Sequence, residues 1–176
     1  SDGRALDLVL VFDTTTGDFG DTDSTRIRQR VEALSRALDV TGSRYVVTAI
    51  LVGATLAGLT PPDWEVRFHD DRMEAIPFDE PTGLVAISVE TYTARRAYQI
   101  ASEYRRRGVP VVMGGFHATL VPEEVSRYCE ALVIGEVEGV WATVLADAAA
   151  GRLQRVYRGE GRPGLAGLRP DRSIFA

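Results

Sequence analysis

The apolar positions of this chain fall into two patterns. Three short runs lack polar alternation: Gly-Leu-Val-Ala-Ile-Ser-Val-Glu-Thr at 83–91, Val-Pro-Val-Val-Met-Gly-Gly at 109–115 and Ala-Leu-Val-Ile-Gly-Glu at 131–136. Such runs fit strands buried on both faces, as in a parallel sheet covered by helices. Further strands are predicted at 8–12, at 64–68 (whose alternation suits the sheet edge) and at 153–157. Elsewhere the period is helical. Ser24 can cap a helix with Ile27, Val31, Leu34 and Leu38 on one face, and 45–59 is apolar all round, as in a buried helix. The 93–107 stretch puts Ala97, Ile100, Ala101 and Tyr104 inward and stops at Gly108. Pro122 opens a short helix, and 140–150 forms another, stopped by Gly151.

Strand–helix alternation predicts an α/β fold: a doubly wound parallel sheet of about five strands, flavodoxin-like or Rossmann-like, with helices on both faces. In such sheets ligands bind at the carboxyl ends of the strands. Ser88, Thr91, Gly114, Gly115, Gly135 and Glu136 all stand there, so that rim is the expected site. Residues 1–158 form the expected domain. From 159 to 176 the chain is Gly, Arg and Pro without periodicity and reads as a linker.

Composition removes several chemistries. All 20 basic residues are Arg, so no phosphate-loop or Schiff-base lysine exists. One cysteine, Cys129, excludes a disulfide framework and a self-contained iron–sulfur cluster. A net charge of −5 argues against nucleic acid as a partner. The uncharged 45–62 stretch is too short to span a bilayer, and no leader is visible, so the expectation is a cytoplasmic protein without a membrane partner. No Gly-x-Gly-x-x-Gly follows a strand and no catalytic trio is readable. Asp13 ends the first predicted strand and either caps its own loop or meets a ligand. His69 reads as structural or exposed. His117 stands on the rim, Glu136 and Glu138 flank its last loop, and the arginines at 95–96 and 105–107 line the outer face of a helix.

Taken as a set, these segments resemble the cobalamin-binding domain that precedes the catalytic barrel in B12-dependent radical SAM enzymes. The resemblance runs from Leu84 through the Ser88-Val89-Glu90-Thr91-Tyr92-Thr93 strand end and the helix after it. It continues through Gly114-Gly115-Phe116-His117-Ala118-Thr119-Leu120-Val121-Pro122-Glu123-Glu124 to Gly135-Glu136-Val137-Glu138-Gly139. It implies a corrinoid lying flat across the rim with its nucleotide tail threaded beside the sheet. The implied cofactor contacts are Ser88, Glu90, Thr91, Tyr92 and Thr93; Gly114, Gly115, His117 and Thr119; and Gly135, Glu136 and Glu138. The Asp-x-His-x-x-Gly signature that ligates cobalt from below is absent, since 13–17 reads Asp-Thr-Thr-Thr-Gly; the cobalt is therefore expected to lack a protein imidazole. The Cys-x-x-x-Cys-x-x-Cys motif of the catalytic domain is also absent.

The expected function follows from this resemblance. The chain would be a cobalamin-binding module, not itself catalytic, presenting cobalt to a radical SAM domain in cis or in trans. That parent would carry a [4Fe-4S] cluster and S-adenosylmethionine, bound outside this chain, and perform methyl transfer or a related radical reaction. The tail favours an excised domain over a stand-alone carrier. Two alternatives stand beside it: a flavodoxin-like domain holding a flavin or other nucleotide at the same rim, and a ligand-free interaction domain docking through its arginine-rich helix.

Overall fold

The computed structural model describes residues 4–10, 44–71, 74–161, 169–171 and 173–175. Among these, six parallel strands form one sheet in the order β2-β1-β3-β4-β5-β6. They are β1 (Arg4–Leu10), β2 (Trp64–Asp70), β3 (Leu84–Ser88), β4 (Val111–Gly114), β5 (Ala131–Ile134) and β6 (Val156–Arg158). The order across the first five is that of flavodoxin-like sheets, reversing direction between β1 and β3. The doubly wound α/β fold expected from the sequence is present: all six stretches read as strands enter the sheet, with β2 at the edge as its alternation suggested.

The unbroken apolar runs exist because successive residues of each inner strand serve opposite cores. Val85, Ile87, Val111, Met113 and Leu132 pack beneath α2 (Ala94–Arg106), whose Ala97, Ile100, Ala101 and Tyr104 are fully buried. Ala118, Val125 and Cys129, on and after α3 (Phe116–Leu120) and α4 (Pro122–Val125), complete that core. Leu84, Ala86, Val112, Ala131 and Val133 face the other way, against Ala57 of α1 (Arg44–Leu59) and Trp141, Val144 and Leu145 of α5 (Trp141–Ala149). Gly108 and Gly151 end their helices at φ of 78° and 65°, the left-handed conformation a helix stop requires. Cys129 is fully buried, and burial pushes its thiol up to about 11. It is a packing residue.

Besides the last strand, expected at 153–157 and found at Val156–Arg158, two differences stand out. The first strand begins at Arg4 rather than at the expected Leu8 and runs to Leu10 among the described residues, with Asp7 inside it. Sequence reasoning stops a strand at an aspartate; here the carboxylate is buried and partnered. Thr82 Oγ1 donates to Asp7 Oδ2 at 2.6 Å, and Arg67 Nε lies 2.9 Å from Oδ1. Arg67 stands opposite Asp7 on β2 and also donates to Glu80 and to the Pro81 carbonyl. The second difference is α3, unforeseen because five residues after a glycine pair show no period. Asp13, the 14–17 loop and the helix expected after Ser24 lie outside the described residues.

His69 completes the Asp7 cluster. It is buried, with Nε2 3.8 Å from Asp7 Oδ1 and Nδ1 3.5 Å from Glu74 Oε1. Burial alone would lower its pKa; the interactions with Asp7 and Glu74 outweigh burial and raise it above 6.5. A pKa raised by folding contributes stability that is complete below the unfolded value and lost as pH rises through the folded one. Urea midpoints are therefore expected to fall as pH rises from about 6.5 through that value, and His69→Asn to flatten this slope. The imidazole resonance should titrate with a midpoint above that of a free histidine.

Residues 169–171 lie against α1. The Asp171 amide donates to the Ala54 carbonyl of α1 at 2.8 Å, and a side chain at Gly58 would collide with the Arg169 carbonyl. Among the described residues no helix is long and apolar enough to cross a membrane.

Candidate functional site

At the carboxyl ends of β3, β4 and β5 lies a cavity of about 420 Å³. It descends between the sheet and the α1–α5 layer. Its floor and walls come from alternate strand residues, Ala86, Val112 and Val133, faced by Val52, Thr55 and Leu56 of α1 and by Trp141 of α5. These strand residues are small or β-branched, so the sheet and the helices do not close on each other. Trp141 Nε1 donates to Thr60 Oγ1 at 2.9 Å, tying the two helices together.

Glycines form the lip. Gly115 has φ of 97°, and a Cβ there would stand 3.0 Å from Ser88 Oγ and from the backbone of Val89. Gly135 has φ of 80°, and its Cβ would meet the Gly159 carbonyl at 2.8 Å. Both positions demand glycine for the fold itself. Gly114 does not: a Cβ there would make an ordinary 3.5 Å contact with Val133. Since Gly114 lines the cavity, what its missing side chain leaves open is space for a ligand. Thr119 fastens the lip, its Oγ1 donating to the Gly115 carbonyl and accepting from the Gly135 amide, both at 3.1 Å.

Eight of the twelve residues singled out from the sequence line this cavity: Ser88, Glu90, Gly114, Gly115, Thr119, Gly135, Glu136 and Glu138. The other four do not. Thr93 is fully buried, its hydroxyl exchanging hydrogen bonds with the Glu90 backbone. Tyr92 is exposed. His117 is buried on the α2 side, its Nδ1 3.2 Å from Thr91 Oγ1 and its Nε2 3.2 Å from the Tyr98 hydroxyl. Thr91 and His117 thus brace the loop from behind. Burial raises the Glu90 carboxyl above its ordinary range, and the His117 charge opposes this without cancelling it.

Sequence reasoning missed Ala86, Val112 and Val133, along with Val52, Thr55, Leu56, Phe116 and Trp141. The one available signal was that Ala86, Val112 and Val133 share a sheet face and are slight enough to leave room. Four of the five arginines on and just after α2 are engaged within the chain: Arg96 with Asp71, Arg105 with Glu130, and Arg106 and Arg107 with Glu103. They make a solvated, self-paired face.

The cavity is mostly apolar beneath its glycine lip. One polar atom in it is unsatisfied: Glu138 Oε2 is buried without a hydrogen-bond partner. A large amphiphilic cofactor with hydrogen-bond donors fits this set.

No family model matches the chain, and no solved structure matches it. Two curated relatives from Chlorobaculum tepidum do. A bacteriochlorophyllide d C-8(2)-methyltransferase is 36% identical over 116 residues, covering 65% of this chain and 26% of the relative. A bacteriochlorophyllide d C-12(1)-methyltransferase is 31% identical over 123 residues, covering 69% of this chain and 27% of the relative. The chain spans about a quarter of the length of the curated relatives it matches, and both of those are methyltransferases.

Proposed function

We propose that this chain is the cobalamin-binding module of a B12-dependent radical SAM methyltransferase. The observation that carries the reading is the slot beneath a glycine lip at the ends of β3, β4 and β5. Gly114, Gly115 and Gly135 let a flat macrocycle approach the backbone. Ala86, Val112 and Val133 leave depth for its appendage, and the apolar walls exclude water from it. Once bound, the corrinoid supplies a cobalt able to carry a methyl group. Similarity to two methyltransferases supports methyl transfer as the parent reaction.

The chain has two histidines, and neither lines the slot. His69 is held by Asp7 and Glu74, and His117 by Thr91 and Tyr98. This supports a cobalt without a protein imidazole. The partner domain that receives the methyl group, its iron–sulfur cluster and its S-adenosylmethionine belong to the proposal as the resemblance gives them.

The test is anaerobic titration with hydroxocobalamin. The corrinoid's visible spectrum should shift on binding and saturate. His117→Ala should leave the bound spectrum unchanged, because no imidazole is lost from the metal. A flat titration overturns the reading.

A further inference from the structure

Three carboxylates line the cavity, Glu90, Glu136 and Glu138, and among the described residues no Arg or His does. Glu138 contributes the unsatisfied oxygen, withdrawn from solvent and without a donor. A buried carboxylate oxygen in that state is unfavourable until a donor reaches it. The last torsion of a glutamate is broad, so either oxygen can turn toward the slot at little cost. The indole N–H of Trp141 in the same wall is already committed to Thr60. Among the described residues no donor reaches that oxygen, which leaves it available to a ligand in the slot.

We infer that Glu138 accepts a hydrogen bond from a neutral hydroxyl or amide of the bound corrinoid, and that the carboxylate lining rejects ligands bringing a terminal phosphate into the slot. The inference rests on the corrinoid reading. Its physical basis is charge: a terminal phosphate carries about −1.5 to −2 near neutrality, and it is repelled most by half-buried Glu138 and Glu90 and least by exposed Glu136, whose charge solvent screens. A corrinoid's nucleotide tail carries a phosphodiester with about one negative charge, less than a terminal phosphate, and the neutral amides and hydroxyls around it bring donors. The same lining that accepts a corrinoid therefore disfavours flavin mononucleotide, the ligand a flavodoxin-like fold would otherwise suggest.

The experiment is a set of titrations on the full 176-residue chain, with hydroxocobalamin and flavin mononucleotide as probes and thermal melts of each variant as the folding control. Glu138→Ala should bind hydroxocobalamin about tenfold or more weakly, the loss expected for a hydrogen bond to a charged group. Glu138→Gln keeps an acceptor but not the charge, and should weaken binding about threefold to fivefold. Wild type should not saturate with flavin mononucleotide at concentrations that saturate with hydroxocobalamin. Should Glu138→Ala melt early, the isosteric Glu138→Gln decides, and wild-type affinity there overturns the inference. So does a folded Glu138→Ala that binds within twofold of wild type, or a wild type that takes both probes equally. A wild type that binds no corrinoid overturns the functional reading and this inference with it; one that binds, beside an unaffected Glu138→Ala, overturns this inference alone.

Discussion

Asp7→Ala is expected to destabilise the fold by about 3 kcal/mol or more, within the range for removing one member of a buried ion pair. The carboxylate is fully buried in β1 and faces Arg67, Thr82, His69 and the Tyr104 hydroxyl, the last at 3.5 Å. Removing it takes the hydrogen-bond acceptor from Thr82 and the countercharge from Arg67 and His69. Arg67 keeps Glu80 and the Pro81 carbonyl and is partly solvated, which holds the loss to the lower part of that range. Against a total stability of roughly 5–15 kcal/mol the change is large. Asp7→Asn keeps one acceptor oxygen and should cost less, while also lowering the His69 titration midpoint. Urea unfolding measures both variants, and an unchanged m-value assigns the effect to stability. A loss under about 1 kcal/mol for Asp7→Ala would mean the cluster is solvated in a way its burial denies.

The same residue shows where sequence legibility ended. Strands that feed two cores read clearly, because 84–87 and 131–134 are apolar at every position and no helix period competes. Gly108 and Gly151 marked helix stops because only a left-handed residue serves there. Asp7 could not be read as a strand residue, since its four partners come from positions far along the chain and exist only after folding. The lip was legible through its glycines and hydroxyls. Its division of labour was not: nothing local distinguishes Gly114, which leaves space, from Gly115, which the backbone demands. His117 looked like a rim ligand because it follows two glycines; the short α3 turns it toward Tyr98 instead. The slot was invisible because depth arises from what Ala86, Val112 and Val133 fail to fill, and a missing volume has no residue of its own.

That missing volume supplies the second large prediction. Ala86→Phe is expected to leave the chain folded and weaken hydroxocobalamin binding by about 3 kcal/mol, or roughly 150-fold. Ala86 lies mid-strand in β3 with its side chain on the cavity face. An aromatic ring there projects into a space of about 420 Å³ that no described side chain occupies. The unliganded protein therefore gains apolar contact with Leu56 or Trp141 without overpacking, and its melting temperature should hold or rise. A ligand whose appendage needs the same space must displace the ring or stay out. The contrast with Val85→Phe separates plugging from general damage. Val85 is fully buried in the opposite core beneath α2 and does not line the cavity, so a larger ring there should lower stability by about 1–3 kcal/mol and leave the slot open. Equal corrinoid affinity in wild type and Ala86→Phe would remove the slot from the binding site, and with it the physical argument for an appendage seated between the sheet and α1.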